Sequence, residues 1–448
     1  MGDLYGSDIR ISARGELILE GMARSGTVVL RRLAGGRAAE VAAGRFLDSP
    51  KVTPAGIFGH CAPLVAQACR GRRILVAQDT TEINFSGADR GRRGLGLAGD
   101  GRSLGFFAHA VLAVDAEDEA VLGIAGAHIW TRGMEKAGDR SKRSFEAKET
   151  RRWLEGARTA AGVLAGAAGI VVAGDRESDI YQVFAGMPAG VDLLVRARGD
   201  RRLAGGGMLL AAADRFEPVC TSLVAVAPRG PGGRGRTARV EISFGRVAVA
   251  RPKGVRAGEA PRQMPLNLVA AREIGAPPGA GPLSWRLLTT LEVACAEDAL
   301  EAVRLYRLRW RVEEVFRALK RDGLGLESTQ VETAAHLFNL AALALCAAAR
   351  IVQLVDARDG GRRPATDVIE EAMVGPAAAI GATLEGATAR QRNPHARGSL
   401  SWLAWIAARL GGWNCYYRPP GPKTMAAGWT RLAAMLDGFR IAASKSNV

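Results

Sequence analysis

Two short apolar runs, each closed by an aspartate, constrain this chain most. Arg73-Ile-Leu-Val-Ala-Gln-Asp79 and Gly169-Ile-Val-Val-Ala-Gly-Asp175 have the length and β-branched content of buried strands. Open α/β sheets place their chemistry where strands end. Two strands ending in acids therefore predict two carboxylates at one edge of a sheet.

The surrounding order supports a sheet with helices around it. Residues 1 to about 70 read as helical and basic, with Arg at positions 10, 14, 24, 31, 32 and 37. After the first strand comes a Gly/Arg-rich loop, Gly87 to Gly101. Phe106 to Val114 and Ala120 to Trp130 then read as antiparallel neighbours joined by the acidic turn Asp115 to Glu119. A helix is expected over Phe145 to Leu164, and a further strand over Val191 to Arg196. Residues 197 to about 283 are rich in Gly, Pro and Arg, with strand-like pieces at Val240 to Ala250 and Leu266 to Ala271. They read as a β-rich insertion. Trp285 to Thr290 restores regular structure, followed by a helix from about Ala296 to Lys320 and a long Ala/Leu helix. The expected organisation is a helical region over 1–70, a mixed α/β core over 71–355 and a helical region over 356–448. The last of these includes a looser linker over 356–395 and a tail broken at Tyr416-Tyr-Arg-Pro-Pro-Gly.

Charge points to a polyanionic partner. The 448 residues carry 61 Lys and Arg against 45 acids, a formal net charge of +16. A GC-rich genome would produce the same Arg, Gly and Ala bias, and only eight of the basic residues are Lys. The charge supports nucleic-acid binding without proving it. Six Cys lie far apart without zinc-ligand spacing, which argues against a structural zinc site and for thiols in a reducing cytoplasm. Neither apolar stretch, Ala160 to Ala173 or Leu337 to Val355, supplies about 20 uninterrupted apolar residues, so both are expected inside the protein and not in a membrane.

A third block adds the remaining chemistry. In Tyr306-Arg-Leu-Arg309-Trp-Arg-Val-Glu313-Glu-Val-Phe-Arg-Ala-Leu-Lys320, the spacings 3, 4 and 7 put Tyr306, Arg309, Glu313 and Lys320 within about 60° on one helical face, at about 100° per residue. A solvated charged face explains such a stripe as well as a site does, when the helix is taken alone. Phosphodiester cleavage, however, calls for this mixture. Carboxylates from separate elements hold divalent cations, and flanking cations hold the phosphates. The five His suggest no Ser/His/Asp or Cys/His alternative.

Together these blocks resemble the DDE transposases of bacterial insertion sequences, in the insertion-sequence-four group that includes the Tn-five type. Asp79-Thr80-Thr81 matches its first D-T-T block, and Asp175 to Ile180 its D-R-E-x-D-I block. Tyr306, Arg309, Glu313 and Lys320 match all four positions of its Y-x(2)-R-x(3)-E-x(6)-K signature. The resemblance covers roughly residues 38–350.

It implies an RNase H-like core in which Asp79, Asp175 and Glu313 bind two Mg²⁺ ions, with Mn²⁺ as a substitute. It also implies DNA contacts from Arg196, Tyr306, Arg309 and Lys320, and Trp285 as a stacking platform for a flipped base. A core aromatic on a strand is the competing reading of Trp285. The implied partner is double-stranded DNA, both transposon inverted-repeat ends and target, engaged by a homodimer in a bacterial cytoplasm at the nucleoid. The implied reaction is cut-and-paste transposition through a hairpin.

A nuclease of the same fold without strand transfer, and a non-catalytic DNA-binding or inhibitory relative, remain as alternatives. A glycosidase with paired carboxylates would leave the Tyr/Arg/Lys stripe unexplained. Gly94 to Gly99 satisfies GxGxxG, but no helix is expected after it, so an irregular loop is the better reading. His109 is expected in the core. Glu82, Glu177, Asp179 and Glu314 are expected to cap or to form ion pairs. The N-terminal 37 residues match the family's end-binding region poorly, whereas the block Ala43 to Thr53 resembles the family.

Overall fold

A computed structural model describes residues 9–33, 36–85, 92–99, 101, 103–133, 144–226, 235–279, 281–320, 324–361, 363–416 and 418–445. Part of the Gly/Arg-rich loop and the first eight residues of the helical region lie outside them.

The chain folds around one mixed sheet of ten strands. Strand β1 (Arg73–Asn84) is an interior strand of it, with Ile74 to Gln78 all buried. It pairs antiparallel with β3 (Leu104–Asp115), which pairs antiparallel with β4 (Val121–Trp130) and with the short β2 (Gly96–Leu97). On its other side β1 runs parallel to β5 (Gly169–Gly174), and β5 parallel to β6 (Val191–Arg196). The order β4-β3-β1-β5-β6, with three antiparallel strands beside two parallel ones, is the mixed α/β, RNase H-like arrangement that the sequence led us to expect.

The β-rich stretch does not form a separate layer. Strands β7 (Pro218–Val226), β8 (Arg236–Ala250) and β9 (Gln263–Glu273) join β10 (Ser284–Thr289), which pairs antiparallel with β6. The insertion thus continues the sheet beyond its fifth strand.

Strand alternation divides the core between the two faces. Leu75, Ala77, Val171, Ala173 and Leu194 belong to one buried cluster, and Ile74, Val76, Ile170, Val172, Leu193 and Val195 to the other. The first face is covered by α8 (Ala296–Leu308), α9 (Arg311–Lys320) and α10 (Ala334–Ala357), the second by α5 (Arg152–Val163), α6 (Tyr181–Ala185) and α7 (Leu209–Ala213). The apolar α10 is long enough to cross a membrane, but it is buried through most of its length, as expected for a core element.

Helices α1 (Ile9–Ser25), α2 (Leu30–Leu33), α3 (Arg37–Asp48) and α4 (Pro54–Cys69) precede the sheet. Helix α4 starts where Thr53 Oγ1 accepts the Gly56 amide and Pro54 occupies the first turn, a favourable arrangement for a helix start. Helices α11 (Val374–Leu384), α12 (Leu400–Leu410) and α13 (Pro422–Lys445) close the first face, so the expected linker contains a helix of its own.

Three expected elements differ in detail. β1 does not stop at Asp79. Its pairing with β5 ends at Ala77, but its pairing with β3 continues to Asn84, so the strand outlives its parallel neighbour. The helix expected over 145–164 begins as two 3-10 turns, Phe145–Ala147 and Glu149–Arg151, before α5. The helix expected over 296–320 is two helices. Between them the amides of Arg309, Trp310, Val312 and Glu313 bond three residues back, which tightens the chain for one turn.

Candidate active site

The period of two in β1 puts Asp79 on the same face as Leu75 and Ala77, beneath α8 and α9. Asp175 follows the last residue of β5, the parallel neighbour of β1. Its Oδ1 accepts the Glu177 amide at 2.8 Å and caps the 3-10 turn Arg176–Ser178. Gly174 makes this turn possible. A Cβ there would lie 2.3 Å from Ser178 Oγ and 3.1 Å from the Trp153 ring. Glu313 stands in the first turn of α9. The acids of β1, the β5 turn and α9 thus come from three separate elements.

Arg309 joins two of them. Its Nη1 donates to Asp79 Oδ2 at 2.8 Å and its Nη2 to Glu313 Oε1 at 3.1 Å. The Arg309 side chain is 7% exposed, against 21% for Asp79 and 35% for Glu313, so the cation lies deeper than both acids. Burial pushes the Asp79 carboxyl up to about 6. Arg309 opposes that rise, and the nearby charges of Asp175 and Glu313 add to it. Glu313 is likewise raised, mainly by burial, with Arg309 opposing and Asp175 adding. Burial lowers the Arg309 pKa, but Asp79, Tyr306, Glu313 and Asp175 outweigh that effect and leave it raised. All three acids act on this one guanidinium.

The remaining expected residues surround this cluster. Tyr306 is buried on α8 and meets the Trp285 ring edge-on at 5.2 Å between centroids. Burial raises its hydroxyl pKa, while Arg309 and Arg196 lower it. Trp285 is 8% exposed on β10 and belongs to the core cluster of the α8–α10 face. Arg196 ends β6 and donates to Ser284 O on β10 at 2.9 Å. Lys320 lies about two turns beyond Glu313, with its Nζ 3.9 Å from Glu327, whose carboxylate accepts the Asn84 amide. Asp79, Asp175, Glu313, Arg309, Tyr306 and Arg196 therefore gather in one place. Trp285 lies behind Tyr306, and Lys320 toward the end of β1.

The other acids of these blocks have partners. Asp179 pairs with Arg201 at 2.6 Å, Glu177 with Arg152 at 2.9 Å, and Glu314 with Arg311. Glu82 accepts from Asn84 at 3.1 Å. His109 is buried beside Trp153, and burial keeps its ring neutral by lowering its pKa well below the usual value.

The donor set suits hard divalent cations, being all carboxylate and drawn from three elements. Burial disfavours the ionised forms of Asp79 and Glu313. Positive charge added beside them would favour their ionised forms. Among the described residues, no group of three acids, Cys or His is placed to hold a metal ion, and the Arg309 guanidinium bridges Asp79 and Glu313.

Sequence reasoning missed Arg152. It lies under the sheet and touches both Thr80 and Glu177. Within Arg151-Arg152-Trp153 it is one Arg among many, and only tertiary contact marks it out.

An α/β sheet of RNase H-like order, with acids converging where its parallel strands part, defines the class as a nuclease-like enzyme core. Residues 145–349 match the family model described as the transposase DDE domain. The matched stretch contains Asp175 and Glu313 and begins after Asp79, which the fold brings to them.

Proposed function

We propose that this protein is a cut-and-paste DNA transposase of the insertion-sequence-four type, with Asp79, Asp175 and Glu313 as its catalytic acids. The observation that carries this reading is the convergence of the three carboxyls on Arg309. Those carboxylates would hold two Mg²⁺ ions, with Mn²⁺ able to replace them. Held there, such ions would supply Lewis-acid activation of the attacking oxygen and charge stabilisation for the leaving one.

The protein's own groups do the rest. Arg309, Arg196 and Lys320 neutralise phosphates on both sides of the cut, an affinity that falls steeply with salt. Water attacks first and frees a 3′-hydroxyl. That hydroxyl attacks the opposite strand and closes a hairpin at the transposon end. Opening of the hairpin and joining to target DNA follow at the same acids. Tyr306 covers Trp285 edge-on, so the indole would receive a flipped base only once that contact opens. Two copies engage the paired ends, with 1–70 contributing to DNA recognition, 71–355 to catalysis and 356–448 to pairing of the two copies.

The test uses the DNA flanking the gene, where short inverted repeats at both sides supply the substrate. Wild-type protein with Mg²⁺ should nick these ends and yield joined products, whereas Asp175→Asn and Glu313→Gln should bind the same DNA without cutting. Cleavage retained in either variant sinks the assignment. Cutting without joining would identify a plain nuclease, and binding without cutting by wild type a non-catalytic relative.

A further inference from the structure

Asp79 faces α9, but the residues on either side of it face the other way. Gln78 and Thr80 both reach toward α5. With its amide nitrogen toward the ring, Gln78 donates to His109 Nε2 at 3.0 Å and to Trp153 O at 3.1 Å, and its oxygen accepts the Ala157 amide at 3.0 Å. Gly156 permits this approach, since a Cβ there would come within 2.9 Å of the Gln78 amide atoms. Because Nε2 accepts, Nδ1 carries the His109 proton and donates to Thr80 Oγ1 at 2.9 Å. Thr80 Oγ1 accepts a second bond, from Arg152 Nε at 3.1 Å.

Arg152 then crosses to the other acid's segment. Its Nη2 donates to Glu177 Oε2 at 2.9 Å, in the turn that Asp175 caps, and its Nη1 to Glu149 O at 3.1 Å. The guanidinium lies near the rings of Trp130 and Trp153 and is 8% exposed. One rigid planar cation therefore joins the residue after Asp79 to the residue two after Asp175. The charges of Asp79 and Asp175 repel, and β1 and β5 have stopped pairing at Ala77 and Ala173, short of both. No ladder bond between β1 and β5 fixes the separation of the two carboxyls.

We propose that Arg152 is a positioning residue that holds Asp79 and Asp175 at a fixed separation from the reverse face of the sheet, through Thr80 and Glu177. This rests on the reading of those acids as cation ligands. Residues that orient metal ligands from behind change metal affinity by about 10- to 100-fold when removed. A bulky apolar side chain can fill the space of Arg152, but it cannot direct hydrogen bonds to two segments.

The test titrates Mn²⁺ into full-length protein without DNA and reads free Mn²⁺ by electron paramagnetic resonance. Binding to a duplex of arbitrary sequence is measured separately in EDTA. Arg152→Met should weaken Mn²⁺ binding about tenfold or more, with duplex affinity unchanged. Arg152→Lys should recover part of the loss, and Thr80→Val should shift binding in the same direction. Should Arg152→Met fail to fold, Thr80→Val carries the comparison. Unchanged Mn²⁺ binding in both variants overturns the inference, as does a parallel loss of duplex binding, which would place Arg152 on the DNA. If wild type binds no Mn²⁺, or Asp175→Asn binds it equally well, the ligand reading falls and takes this inference with it. That failure appears in proteins that retain Arg152, so it is distinguishable.

Discussion

Arg309 bridges Asp79 and Glu313, donating to the first at 2.8 Å and to the second at 3.1 Å, and so occupies the space between two of the three converging acids. A buried guanidinium there compensates carboxylate charge in the same way a divalent cation would. Its Nε is buried without a hydrogen-bond partner, so the bridge leaves one donor unmet.

Cation binding should therefore compete with Arg309. Arg309→Gln removes the competing charge and should strengthen Mn²⁺ binding to DNA-free protein by about tenfold, the effect of roughly 1.4 kcal/mol of relieved competition. The same variant should lose cleavage if Arg309 contacts phosphate as proposed. Calorimetric titration and single-turnover cleavage check the two effects. Weaker Mn²⁺ binding in the variant would show that Arg309 supports the metal ligands instead.

The carboxyl of Asp79, held at about 6 in the folded protein, sets a pH window. Its protonated form is a poor cation ligand, so apparent Mg²⁺ affinity should fall about tenfold per unit below pH 6. Glu313 is raised too and acts in the same direction. In metal-free protein the unfolded chain releases the Asp79 proton near its ordinary 3.8, while the fold retains it to about 6. The unfolded state then binds fewer protons across that window, so this group's contribution to stability declines as pH rises through it. Saturating Mg²⁺ should remove the decline. Melting temperatures from pH 4 to 7, with and without Mg²⁺ and with Asp79→Asn for reference, measure this. Identical profiles for wild type and variant would contradict the shift.

Trp285 rests edge-on against Tyr306 and is almost fully covered. Replacing it with Ala should slow hairpin formation more than first-strand nicking, if a flipped base uses the ring. Loss of a base–aromatic stack costs about 1–3 kcal/mol, roughly 5- to 150-fold in the affected step. Equal slowing of both steps, together with a lower melting temperature, would assign Trp285 to the core alone.

Stability away from the site depends on a buried amide. Asn339 on α10 donates to Leu47 O at 3.1 Å and Val52 O at 3.0 Å, and so ties the central helix to the end of α3 and the start of α4. Asn339→Ala leaves two carbonyls unpaired and should cost about 1–3 kcal/mol in urea unfolding. A change under about 0.5 kcal/mol would mean that water replaces the amide at both carbonyls.

Much of the fold was legible in local sequence. The β-branched runs at 73–79, 169–175 and 191–196 became strands because burial on both faces requires continuous apolar residues. The acidic turn at 115–119 joins two antiparallel strands as its residues suggested. Where the reading differed, long-range pairing was the reason. β1 runs five residues past Asp79 because β3 continues to pair with it, and nothing within 79–84 announces that partner. The smooth helix expected over 296–320 tightens at Arg309, where the guanidinium turns in to meet Asp79 from 230 residues away.

The sequence by itself determined which side chains this protein can bring to the proposed site: three acids, each in its own block, with a Tyr/Arg/Lys set spaced for one helical face. Tertiary structure alone decided which of them meet, because β1 and β5 become neighbours only when the sheet assembles, and α9 lies over Asp79 only when it packs with α10 on that face. It alone brought Arg152 to Thr80 and Glu177. Local spacing is encoded in short stretches, whereas separation between strands is fixed by packing and hydrogen bonds between residues far apart in the chain.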